Sequence, residues 1–140
     1  MMESKTTTRH RRWLQAGHSV SVPIVWINID PSGYWRPLSG PPEKPRIGWT
    51  MATPASITGL SVFALIGPGV GETCEVRVGY HDGAVQYSAT LVLANPNQVA
   101  FVTWAEGLYL VPQNGYLWIE VRSVGGTTAE SLECIAEVTI

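Results

Sequence analysis

Charge is scarce in this sequence. Asp, Glu, Lys and Arg make up 14% of its 140 residues, against roughly 25% in an average soluble domain. A surface so poor in charge favours burial in an assembly, although a Gly-, Ser- and Thr-rich β surface gives the same composition. Cysteine is as sparse. Cys74 and Cys134 stand 60 positions apart and form no C-x-x-C pair, which argues against zinc-ribbon and dithiol redox chemistry. Reduced, buried thiols are the expectation, because no secretory cleavage site follows the basic leader. A disulfide between the two is the alternative. The three histidines, His10, His18 and His81, show no H-x-H or H-E-x-x-H spacing, so no metal or other cofactor is expected. No apolar run reaches the ~18 residues of a membrane span. No segment repeats its apolar residues at helical spacing.

What charge there is divides unevenly. Residues 1–46 carry seven basic and three acidic side chains, a net of +4, and residues 47–140 carry two and eight, a net of −6. The chain reads as a basic, proline-rich arm over 1–50 and a β-sandwich body over 51–140. The leader to Gly17 has no apolar spacing and is expected to be flexible unless bound. Residues 18–28 (HSVSVPIVWIN) alternate like a strand, with Pro23 restricting it to an edge. Residues 31–46 hold five prolines and should run extended. Tyr34 and Trp35 lie inside that stretch and are expected to anchor it against a surface. Lys5, Arg9, Arg11, Arg12, Tyr34, Trp35 and Arg36 are the candidate attachment residues, suited to an acidic surface. Nucleic acid is not the expected partner, since four clustered cations bind it weakly and only at low salt.

From Ile57 onward, strands and turns alternate about every ten residues. Leu60, Val62, Ala64 and Ile66 share one face. So do Cys74, Val76, Val78 and Tyr80; then Val85, Tyr87, Ala89, Leu91 and Leu93; then Leu117, Ile119 and Val121; then Leu132, Cys134, Ala136, Val138 and Ile140. Asp82-Gly83 marks a hairpin turn. With 18–28 as the first, about eight strands are expected, and an antiparallel jelly-roll-like sandwich is the expected fold. A seven-stranded immunoglobulin-like sandwich is the rival.

The opposite strand faces are apolar too. Phe63 and Leu65, Val102 and Trp104, and Tyr116 and Trp118 are read as outward-facing, and so as an oligomer interface. The chain's own arm is the second candidate to cover them. Catalytic motifs are missing. GPGVGE (67–72) precedes a strand rather than a helix and reads as a turn, not a phosphate loop. Glu72, Glu75, Glu106, Glu120, Glu133 and Glu137 fall mostly at outward strand positions or in turns, which suits a solvated face better than a glycosidase pair. Glu120 and Arg122 share a face with Trp118 and suit a cross-strand or cross-subunit ion pair. Six tryptophans also suit a sugar-binding surface, although packing explains them better. No enzyme is expected.

The stretches ITGLSVFALIGPGVGETCEVRVGYHDGAVQYSATLVL, VTWAEGLYLVPQNGYLWIEVRSVGG and AESLECIAEVTI resemble small phage virion domains of jelly-roll type. These are the trimeric head-decoration and fibre-tip proteins and, more distantly, the tumour-necrosis-factor/C1q-like trimers. The resemblance covers roughly residues 57–140. It implies a homotrimer in the virion, assembled in the host cytoplasm, with the N-terminal arm docked on the major capsid protein or another virion protein. No collagen-like or coiled-coil stalk is present, which favours a compact capsid decoration or cement subunit. The alternative is a carbohydrate- or receptor-binding tip module of a tail or head fibre, working in host attachment.

Overall fold

The computed structural model describes residues 11–17, 35–37, 49–125 and 129–140. Lys5, Arg9, Tyr34 and the expected strand over 18–28 lie outside them. The described residues form eleven strands and no helix: β1 (Arg11–Gly17), β2 (Arg36–Pro37), β3 (Trp49–Thr50), β4 (Ala55–Ile66), β5 (Thr73–His81), β6 (Val85–Tyr87), β7 (Leu91–Ala94), β8 (Val99–Thr103), β9 (Leu110–Val111), β10 (Tyr116–Val124) and β11 (Glu130–Thr139). All pairings are antiparallel. The first sheet runs β1-β11-β4-β8, with β9 also on β4; the second runs β2-β10-β5-β6, with β3 on β10 and β7 on β5.

The eleven strands reduce to eight ribbons. β2 and β3 lie end to end along β10, β6 and β7 along β5, and β8 and β9 along β4. Numbered as eight, the sheets read 1-8-3-6 and 2-7-4-5. Pairs are nested, as in one long hairpin rolled into two layers, so the fold is an all-β antiparallel sandwich.

Side-chain alternation builds the core between the layers. Leu60, Val62 and Ala64 of β4 meet Leu132, Cys134, Ala136 and Val138 of β11 from one sheet. Cys74, Val76 and Val78 of β5 and Leu117, Ile119 and Val121 of β10 close it from the other. All were expected inward, but Ile66 at the strand end is 48% exposed.

The alternation changes phase at two places. Ser88 donates its N–H to the Val78 carbonyl, while its Oγ accepts from Val78 N–H, each at 2.9 Å. A side-chain oxygen thus replaces a ladder carbonyl. Val85 and Tyr87, expected inward, stay out of the core, while Leu91 and Leu93 beyond the break are buried. In β4, Gly59 faces Glu137 and Ile57 faces Val138, which leaves Thr58 as a bulge residue. Ile57 and Leu60 therefore both enter the core. Thr58 Oγ1 donates to Glu137 Oε1 at 2.8 Å and is 2.9 Å from Thr139 Oγ1. On the other side of β4, Ile57 N–H donates to the Tyr109 carbonyl and Trp104 N–H to the Thr58 carbonyl. The loop over 105–108 leaves the sheet between these two bonds. The Asp82-Gly83 turn forms as expected, with Gly83 at φ +110°.

One segment differs from expectation. Residues 11–17, read as part of a flexible leader, form β1 along β11, from Arg11 opposite Thr139 to Gly17 opposite Glu133. Backbone hydrogen bonds to an open sheet edge do not require apolar spacing, so this strand leaves no pattern in the sequence. Arg36 and Pro37, in the proline-rich stretch, pair with Val121 and Glu120 at the edge of the second sheet. An edge tolerates the missing N–H of proline.

Cys74 and Cys134 are free thiols in the core. Burial, with a smaller contribution from Glu72, pushes the Cys74 thiol up to about 12. Burial also raises Cys134, with smaller contributions from Cys74 and Glu133. Both stay protonated in the folded state at pH 8. A thiol-specific reagent is expected to label neither until denaturant is added. A group whose folded pKa is raised loses its stabilising contribution as pH rises from its unfolded value, here about 9, towards the folded one. The urea midpoint should therefore fall between pH 9 and 11, and a Cys74→Ala, Cys134→Ala chain should lose much of that fall.

Candidate interaction surfaces

The outer face of the second sheet is built from four cross-strand rows on β5 and β10. Tyr116 pairs with His81, Trp118 with Gly79, Glu120 with Arg77, and Arg122 with Glu75. Each row is chemically matched. The His81 and Tyr116 rings stack with centroids 5.1 Å apart and planes 7° from parallel. Gly79 leaves room for the indole of Trp118: a methyl group there would lie 2.3 Å from its Cε2. Glu120 and Arg122 each pair across the strands. Arg77 Nη2 is 2.8 Å from Glu120 Oε1, and Arg122 Nε donates to Glu75 Oε1 at 2.6 Å.

These rows are tied together along the strands. Trp118 Nε1 donates to Glu120 Oε2 at 2.8 Å, so one carboxylate serves both the indole and Arg77. The Arg77 guanidinium is stacked between two rings, 3.7 Å from the Tyr87 centroid and 4.0 Å from that of Trp35. Arg122 lies 4.6 Å from the same Trp35 ring. Trp35 therefore seats its segment on the chain's own body. Trp118 is fully buried and Tyr116 half-buried, so the expected role of this pair as an exposed oligomer interface is corrected. The outward phase was right; the cover comes from within the chain.

Trp35→Ala is expected to lower stability by about 2 kcal/mol, the upper end for a partly desolvated cation–π contact. It should also speed amide exchange at Val121, whose backbone faces β2 opposite Arg36. A loss below a few tenths of a kcal/mol would show that the stack does not hold this segment.

The outer face of the first sheet has a different character. Phe63 and Leu65 point outward as expected, 44% and 59% exposed. Val102 and Trp104 do not: they are half-buried and pack on the core, with the Trp104 ring edge-to-face on Tyr109 at 5.1 Å. The outward residues of β8 are Val99 and Phe101, 54% and 76% exposed. QVAFVTWA is apolar on both faces, so alternation alone could not orient it. Pairing with β4, which sets Phe101 opposite Ser61 and Val99 opposite Phe63, decides the side. Beside Phe101 lies a depression of about 160 Å³, floored by Gly59 and Ser61 and walled by Thr103, Ile135 and Glu137.

Arg11 and Arg12 in β1 and Arg36 in β2 are paired through their backbones with β11 and β10, and Trp35 rests its ring on Arg77 and Arg122. Among the described residues no group of three or more His, Cys, Asp or Glu could hold a metal ion. The molecule is thus an antiparallel sandwich with Trp35 seated on one outer face and, on the other, an apolar stripe along β4 and β8 beside Glu133 and Glu137 of β11. No family model matches the sequence, and no curated protein matches it.

Proposed function

We propose that this chain is a non-enzymatic structural subunit of a virion, a phage capsid decoration or cement protein that assembles with copies of itself. In this reading it docks on the major capsid protein or another virion protein through its basic N-terminal residues. The observation that carries the reading is the apolar stripe along β4 and β8 on the outer face of the first sheet, where Phe63, Leu65, Val99 and Phe101 are each 44–76% exposed. Such a face suits a protein that works packed against others. Two further features support it. The strand order 1-8-3-6 and 2-7-4-5 is the nested order we read as a jelly roll. The net +4 of residues 1–46 complements acidic partners.

The test is location. Purified particles analysed by peptide mass spectrometry should contain the chain at a fixed ratio to the shell protein. A form lacking residues 1–10 should fold, because β1 and Trp35 are retained, yet fail to rebind particles stripped of the protein. A chain found only in the soluble fraction, beside complete particles, would refute the proposal.

A further inference from the structure

Among the described residues, β8 pairs along one side only, with β4 and not with any further strand. Gln98 accepts from Ala64 N–H at 2.8 Å, and Trp104 N–H donates to the Thr58 carbonyl at 2.9 Å. The even-numbered residues therefore turn their backbone groups towards β4. Val99, Phe101 and Thr103 turn theirs to the open edge. The side chains of these three residues are also exposed. Natural edge strands usually carry a charge, a proline or a bulge that blocks a further strand. β8 carries none, and no charged residue lies between Asp82 and Glu106.

We infer that the open edge of β8 pairs with β8 of a second copy of this chain, antiparallel about a twofold axis through Phe101. The inference rests on the self-assembling reading above and names its contact. The pattern is self-complementary. Phe101 falls opposite itself and Val99 opposite Thr103, so an apolar ring meets a ring and two β-branched residues meet. The N–H and C=O groups of all three residues find partners across the axis. No like charges oppose one another. Phe63, beside Val99, continues the apolar stripe on each side. An edge contact of this kind belongs to the small interface class, below about 1,200 Å², and should dissociate at micromolar concentration.

Residues directly opposite in a hydrogen-bonded antiparallel pair have Cα atoms about 5.5 Å apart, which suits a disulfide. Phe101→Cys in the full chain should therefore cross-link to a dimer under mild oxidation. Cys74 and Cys134 are buried and will not compete. Val92→Cys on β7, 48% exposed, should not cross-link. Phe101→Lys should raise the dimer dissociation constant at least about tenfold, since like charges directly opposite repel, and leave the thermal midpoint unchanged at dilutions where both proteins are monomeric. A trimer whose mass Phe101→Lys leaves intact would overturn the edge contact but not self-assembly. A single-protomer mass at all concentrations would overturn both. Presence in particles is read separately and bears only on the virion assignment.

Discussion

Glu120→Ala is expected to cost about 3–5 kcal/mol of folding stability, the range for removing one partner of a buried ion pair. The Glu120 side chain is 6% exposed and that of Arg77 20%. One oxygen accepts from Arg77 and the other from Trp118 Nε1. Without the carboxylate, the guanidinium stays between the Trp35 and Tyr87 rings with no counter-charge, and the indole N–H is buried without an acceptor. The second loss alone costs about 1–3 kcal/mol. Glu120→Gln keeps an oxygen for one donor but loses the charge, so it should fall between wild type and alanine. Urea unfolding followed by tryptophan fluorescence measures all three. A Glu120→Ala protein within 1 kcal/mol of wild type would show that the cluster is less tightly closed than its geometry implies.

Gly79→Ala is expected to destabilise by about 3 kcal/mol, the upper end for forcing a methyl group into a packed site. Alanine in a strand would ordinarily gain roughly 0.5–1 kcal/mol over glycine. Here the added carbon would sit 2.3–2.6 Å from three atoms of the Trp118 indole. The clash outweighs the gain because Trp118 is fully buried and held at Nε1 by Glu120. Trp118→Ala alone should cost about 3–5 kcal/mol. Combining the two changes should add nothing further, since the clash disappears with the ring. Strict additivity in that double-mutant cycle would place the strain elsewhere.

The inward faces of β4, β5, β10 and β11 were legible in the sequence because strands buried on one side repeat their apolar residues at every second position. The phase changes were not. The one at Ser88 depends on a hydroxyl replacing a carbonyl in the ladder, and the one at Thr58 on an extra residue opposite Glu137; neither leaves a local pattern. β8 was misoriented because it is apolar on both faces. The position of Trp118 on the outer side was readable from its shared phase with Glu120 and Arg122. The seating of Trp35 on the neighbouring Arg77 and Arg122 was not, because Trp35 lies in a distant stretch whose prolines argue only for extension. On the candidate surface, Phe63 and Leu65 were found and Phe101 was missed. Its sole signal was the choice between two equally apolar phases.

The nested strand order also sets a sequence of events during synthesis. The innermost ribbon, β5 with β6, needs only a short turn and can zip early. Each outer pair must wait for a wider loop to close, and closing wider loops slows folding. β11 sits between β1 and β4, so the first sheet stays split until that late segment emerges from the ribosome. Until then β1 has no partner edge and the inner side of β4 stands open to water. A nascent chain of this topology is exposed to misassociation longest at its earliest strand, and chaperone contact should concentrate there.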